Sequence, residues 1–259
     1  MPKRFFMRFN LQNGVNHFPA TAEVGAALQN ADSSEIQEYL DEFDTVQARR
    51  AERMREYFGD HLAVLNGKKV LFFGDSITSD NLGYRETVSR AAHLQSADGS
   101  ISGGTSATIL QFAKSKLIAE KPDLLSVMLG TNDSVGIGEE DFGSVSLGEY
   151  ERNIHAILTW ANEIGAKLLL FAVTPVHEAR FAKHFNPQSK FQSNQNIARY
   201  NDCLRKLAQE FDIPLCEHTY IAQEEDFERL LERDGIHLNP NGHEQLALCW
   251  LHQAIQLFK

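Results

Sequence analysis

Apolar and polar residues are patterned in two ways along this chain, and the change falls near Lys68. From there on, short apolar runs alternate with longer stretches in which apolar residues recur at helical spacing. That alternation predicts a parallel sheet covered by helices on both faces. The runs that read as strands are 69–73, a weak one at 94–101, 124–129, 167–173 and 213–216. Helical stretches fill the gaps at 107–120, 147–164, 194–211, 223–232 and 241–257. In such a sheet ligands bind at the carboxyl ends of the strands, so the residues just after each apolar run are the ones to inspect for chemistry.

Before Lys68 the pattern differs. Between Thr21 and Leu65 no strand is evident, and Ile36, Leu40, Phe43, Met54 and Phe58 fall at approximately helical spacing among many charges. The chain therefore divides into a helical N-terminal extension over 1–66 and an α/β domain over 67–259. Ser34 is the expected N-cap, answered by Gln37 three residues on. Amphipathic stripes usually face their own core, so the extension reads as a structural layer on the main domain. A surface through which the N-terminal helices assemble a homo-oligomer is the alternative.

Composition narrows the partners. Of 259 residues, 42% are hydrophobic and 10% aromatic, enough to bury one main core. A formal net charge of -10 repels phosphate backbones and anionic lipid, which argues against nucleic acid or a membrane surface as partner. The N-terminal Met-Pro-Lys-Arg-Phe-Phe-Met-Arg is positive, but Asn10, Gln12 and Asn13 interrupt any apolar run before signal-peptide length. No later stretch is apolar enough to span a bilayer. Cys203, Cys216 and Cys249 are widely spaced and lack a Cys-x-x-Cys pattern, so they read as buried thiols in a reducing cytoplasm. No His-Glu-x-x-His or similar ligand set occurs, so neither a metal nor another cofactor is implied.

Four short segments carry candidate chemistry. Gly74-Asp75-Ser76-Ile77-Thr78 follows the first strand and sets a serine at a strand-to-helix turn, where it is either an exposed nucleophile or an ordinary capping residue. Asp234-Gly235-Ile236-His237 sets a carboxylate three positions before an imidazole, a spacing at which both side chains project from one turn. A serine nucleophile needs such a base, and the base needs an acceptor to fix its tautomer; a surface Asp-His contact is the plainer reading. Ser100-Ile101-Ser102-Gly103-Gly104-Thr105 follows the second strand, where a residue without Cβ lets a backbone N–H approach a reacting carbonyl. Gly130-Thr131-Asn132-Asp133 follows the third, and Asn132 could donate through its amide. A tight turn and an Asx-turn are the plainer readings of these two.

Taken together and in this order, the four segments resemble the GDSL, or SGNH, hydrolase family. The resemblance covers roughly Lys68 to the C-terminus and includes Asn239-Pro240-Asn241-Gly242 at the entry to the last helix. It implies a flavodoxin-like three-layer α/β/α sandwich with a five-stranded parallel sheet. It also implies Ser76 as nucleophile, Asp234 and His237 as triad acid and base, and the Ser76 N–H, Gly103 and Asn132 as the oxyanion hole. Departures are Ile77 for the leucine of the family's name, Asp98 where many members carry asparagine, and Gly104 where many carry aspartate. The Gly-x-Ser-x-Gly elbow of larger α/β-hydrolases is absent. The activity implied is a serine esterase acting on small acylated molecules, with short acyl or acetyl groups, carbohydrate esters included. Acyltransferase, lysophospholipase or thioesterase chemistry, or a non-catalytic binding module, are the alternatives. Substrate choice is expected in two inserts, 134–147 and 175–193; the second carries Arg180, Lys183, His184 and Lys190 beside Phe181, Phe185 and Phe191, and reads as a basic flap or as a solvated loop over packed aromatics.

Overall fold

The computed structural model describes residues 7–9, 12–13, 16–17, 21–136, 143–185, 191–218 and 224–259. Five parallel strands make the central sheet: β1 (Lys69–Gly74), β2 (Gln95–Asp98), β3 (Leu124–Met128), β4 (Lys167–Phe171) and β5 (Leu215–Cys216). They lie side by side in the order β2-β1-β3-β4-β5. Val70 stands opposite Leu124 in one pair and Leu125 opposite Leu168 in the next. This is the five-stranded α/β sandwich that the sequence implies, and the order reverses at β1, where such sheets open a crevice at their carboxyl ends.

Successive residues of β1 point to opposite faces, and both faces are buried. Leu71 and Phe73 join Leu125, Val127 and Leu170 in a core under α5 (Ser106–Glu120), α6 (Leu147–Glu163) and α8 (Asn194–Phe211). Val70 and Phe72 face the other way, into a second core with Val88 of α4 (Tyr84–Ala91) and Leu246 and Trp250 of α10 (Pro240–Phe258). The Trp250 indole N–H donates to Ser126 Oγ at 3.1 Å, fixing α10 against β3.

The extension is helical, as its spacing predicts. It contains α1 (Ala22–Gln29), α2 (Ser33–Phe58) and a 3₁₀ turn at Gly59–Leu65. The expected cap at Ser34 is wrong: Asp32 is the N-cap and accepts the Ser34 N–H at 2.8 Å. A carboxylate at that point also meets the positive end of the helix dipole. Gln37 instead donates to Asp41 at 2.7 Å. The α2 stripe of Ile36, Phe43, Ala51, Met54 and Phe58 is buried within the chain, and Gln47 and Arg50 on the same stripe are buried with it.

Three short helices escape the sequence pattern: α3 (Ser76–Ser79), α4 and α7 (Glu178–His184). A last short helix, α9 (Glu224–Leu230), lies inside the expected 223–232 stretch. Of the three cysteines expected to be buried only Cys216 is; Cys203 and Cys249 are half-buried. Among the described residues no helix is long and apolar enough to cross a membrane.

Candidate active site

The backbone of β1 ends at Gly74, and Asp75 then takes an extended conformation as N-cap of α3, its Oδ1 accepting the Ile77 N–H at 3.0 Å. Ser76 thereby sits at the first position of α3, half-buried at the carboxyl end of the sheet. His237 reaches it from 161 residues further on, with Nε2 at 2.9 Å from Ser76 Oγ. On the other side of the ring, Nδ1 lies 2.6 Å from Asp234 Oδ2. Asp234 Oδ1 meanwhile accepts the N–H groups of Ile236 and His237 at 3.0 and 3.1 Å. Burial raises the Asp234 pKa, yet the hydrogen bond and charge of His237, with those two N–H groups, hold it below the ordinary carboxylate range.

The turn between Asp234 and His237 depends on Gly235. Its φ is +79°, and a Cβ there would stand 2.7 Å from the His177 carbonyl oxygen. The Glu232 N–H donates to the His237 carbonyl at 2.8 Å and closes this loop.

The two glycine- and asparagine-bearing loops meet beside the serine. The Ile101 N–H donates to the Gly74 carbonyl at 3.0 Å, so the first loop hangs from the end of β1 itself. A turn closed by the Gly104 N–H on the Ile101 carbonyl at 2.8 Å then sets Gly103 at φ +75°, a left-handed conformation that other residues resist. Asn132 Nδ2 donates to the Gly104 carbonyl at 3.0 Å and ties the second loop to the first. The amide carries two N–H groups, so one remains. The N–H groups of Ser76 and Gly103 have no protein acceptor among the described residues. The departures at Asp98 and Gly104 find roles here: Asp98 Oδ1 accepts the Ser100 N–H at 2.9 Å, and Gly104 offers the carbonyl that Asn132 takes up.

Several residues that the sequence did not single out surround this cluster. Asp133, beside Asn132, is buried and accepts the Ser106 N–H at 2.9 Å together with the Ser106 hydroxyl. Burial is the chief cause that pushes its carboxyl up to about 6, against the Ser106 hydrogen bonds and with help from the Asp75 charge. Asp75 is itself raised by burial. Asp80, just past α3, is buried against Arg8 and His243. Burial works to raise its pKa, but His243 and Arg8 pull it well below the usual carboxylate range. Asp133 shares its block with Asn132 and could have been found there. Arg8 and Asp80 lie 72 residues apart and share no local signal.

The second insert differs from a free basic flap. Arg180 is taken up by Glu228 and by the Glu232 carbonyl, and Phe181 is buried. Lys183 and His184 are exposed, while Lys190 lies outside the described residues. Gly136 of the first insert and Phe191 of the second exchange backbone hydrogen bonds at 2.7 and 3.0 Å.

The sequence profile of the GDSL-like Lipase/Acylhydrolase family matches residues 72–245, from β1 into α10. The chain belongs to this family. Among relatives of this chain, the isoamyl acetate-hydrolyzing esterase of Saccharomyces cerevisiae is 26% identical over 126 residues, 47% of this chain and 52% of that protein. The multidomain esterase of Ruminococcus flavefaciens is 27% identical over 135 residues, 51% of this chain. The match spans only 15% of that longer protein. In fold, the chain is similar to the crystal structure of the lipase/acylhydrolase from Enterococcus faecalis, with a TM-score of 0.60 at 18% identity. That likeness covers 74% of this chain and 97% of the other.

Proposed function

We propose that the protein is a serine esterase that hydrolyses carboxylic esters of small acylated molecules through an acyl-enzyme on Ser76. The observation that carries this reading is the unbroken hydrogen-bond chain Ser76–His237–Asp234, at 2.9 and 2.6 Å. His237 takes the hydroxyl proton as Ser76 Oγ attacks the ester carbonyl, and Asp234 holds the imidazole in the tautomer that can accept it. The tetrahedral oxygen is met by the N–H groups of Ser76 and Gly103 and by the remaining amide N–H of Asn132. As the intermediate collapses, the proton passes from His237 to the leaving alcohol. Water then attacks the acyl-enzyme with the same imidazole as base, releasing the acid and restoring Ser76.

Residues 67–259 form the catalytic unit in this reading, and 1–66 an extension that packs on it. A short acyl group, acetyl above all, on a small polar alcohol is the substrate class we favour, and the ester in the yeast relative's name shares the acetyl group. The test is labelling with a fluorophosphonate probe and mapping of the adduct, together with a panel of p-nitrophenyl esters of increasing acyl length and acetylated sugars. An adduct on Ser76 and fastest turnover of acetyl or propionyl esters are expected. A protein that binds acetylated sugars without turnover or adduct would instead be a binding module, and acyl transfer to an added alcohol in preference to water would make it a transferase.

A further inference from the structure

A short piece of the N-terminal extension reaches the catalytic cluster, although it lies far outside the family match that begins at residue 72. Met7 and Arg8 are buried, with Met7 packed in the small core of α1 and α2. The Arg8 guanidinium holds two otherwise separate parts of the site. On one side, Nε and Nη2 meet the Asp80 carboxylate at 3.1 and 2.5 Å, four residues after the nucleophile. On the other, Nη1 meets Glu232 at 2.6 Å, and Nη2 donates to the Leu238 carbonyl at 3.0 Å, next to the base. His243 of α10 completes the ring of contacts, with Nε2 at 3.1 Å from Asp80 Oδ2. The backbone is held as well: the Asn81 N–H donates to the Arg8 carbonyl, and Asn81 Nδ2 to the Met7 carbonyl at 3.0 Å. The next residue, Phe9, sets its ring 4.9 Å from the His237 imidazole, centre to centre and tilted by 48°.

From this geometry we infer that Met7–Phe9 is a strap that completes the active site, with Arg8 and Phe9 as positioning residues for His237. It rests on the reading of Ser76 and His237 as nucleophile and base. Arg8 fixes the spacing between the loop that carries the serine and the loop that carries the histidine. Phe9 packs its tilted ring against the imidazole, so that the latter keeps the plane in which it meets Asp234 and Ser76 at once. A planar base bonded at both nitrogens loses one partner when it rotates, and a packed aromatic neighbour opposes that rotation. A buried Arg–Asp pair is weak support for stability in itself, because desolvation offsets much of its attraction; its value here lies in where its two ends are attached.

The experiment compares the full-length wild type with Phe9→Ala, Phe9→Leu and Phe9→Tyr, each checked for an unchanged circular dichroism spectrum. Phe9→Ala is expected to lower kcat for p-nitrophenyl acetate about tenfold while KM moves less than about twofold. Fluorophosphonate labelling of Ser76 should slow by a similar factor, and Phe9→Tyr should restore both. A loss confined to packing would lower the melting temperature and leave kcat of the folded fraction intact, which would overturn the proposal. A second measurement needs no substrate: the low-field proton resonance of the His237–Asp234 hydrogen bond should broaden or vanish in Phe9→Ala and persist in Phe9→Tyr. If it is unchanged in Phe9→Ala, the strap does not position the base. A wild type that never reacts with the phosphonate counts against the esterase reading alone, since the proton resonance still decides the strap.

Discussion

Asn132 places one amide N–H on the Gly104 carbonyl, and in the proposed mechanism the other meets the reacting oxygen. Asn132→Ala should therefore lower kcat by about a hundredfold or more, the usual size of an oxyanion donor's effect, with little change in the far-ultraviolet circular dichroism spectrum. Retained turnover would remove Asn132 from the site. Asp133 makes a prediction in pH. Its carboxyl is held up to about 6 in the folded protein, whereas an unfolded aspartate titrates near 4. The folded state thus binds more protons between those values, and the stability linked to this group is complete below pH ~4 and declines as pH rises through about 6. Taken at face value the difference is worth about 3 kcal/mol at neutral pH. In Asp133→Asn, which has no such proton to lose, melting temperature measured from pH 4 to 7 should gain on the wild type as pH rises; a gap that does not vary with pH would contradict the assignment. At this scale the sequence was readable where chemistry is local. Ser76, Gly103, Asn132, Asp234 and His237 each follow an apolar run or share one turn, and the structure brings the four segments that carry them together. Arg8, Asp80 and His243 were not readable, because their contacts join residues 72 and 163 apart with no periodicity to mark them.

Among the elements, the strands and long helices were legible because their residues are sorted by face. Leu71 and Phe73 go one way and Val70 and Phe72 the other, and α8 runs over the same residues, 194–211, that its spacing marks. The helices that were missed are short, and the buried faces of α3 and α4 are partly polar. In α4 the inward residues include Arg85 and Thr87 beside Tyr84 and Val88, so polar side chains occupy positions a hydrophobic pattern would need. Arg85 is satisfied there by the Thr78 carbonyl at 3.1 Å and by Glu86 at 2.8 Å. Turns, too, decide function at this level. The acid-to-base turn allows only glycine at 235, given its positive φ and a carbonyl oxygen 2.7 Å from any added Cβ. Gly235→Ala should cost about 1–3 kcal/mol of stability in chemical denaturation and reduce kcat, since the turn cannot accept the methyl group without moving Asp234 relative to His237.

The molecule as a whole is organised around the docking of α2 on the segment that follows Ser76. Gln47 Nε2 donates to the carbonyls of Asn81 and Gly83, both at 3.0 Å, and Gln47 Oε1 accepts the Thr87 hydroxyl at 2.6 Å. Arg50 donates to the Leu82 carbonyl at 2.5 Å, and burial pushes its pKa down to about 10 despite the Asp80 charge. Arg50→Ala leaves that carbonyl unpaired in a buried place, at about 2 kcal/mol. For a chain of this size the melting temperature should fall by about 4–8 °C in calorimetry. No sequence pattern announced this dock, for carbonyl acceptors carry no residue signature. The separation between Ser76 and His237 has a consequence for how the protein comes into being. Ser76 leaves the ribosome 161 residues ahead of its partner His237, and Arg8 precedes its acceptor at Leu238 by 230. A nascent chain can lay down β1 and β3 early, yet on the proposed reading it stays inert until the segment carrying His237 and Leu238 has been made and has come back across the sheet. In refolding, helix content should therefore return well before turnover does, because contacts this distant along the chain are the slowest to close.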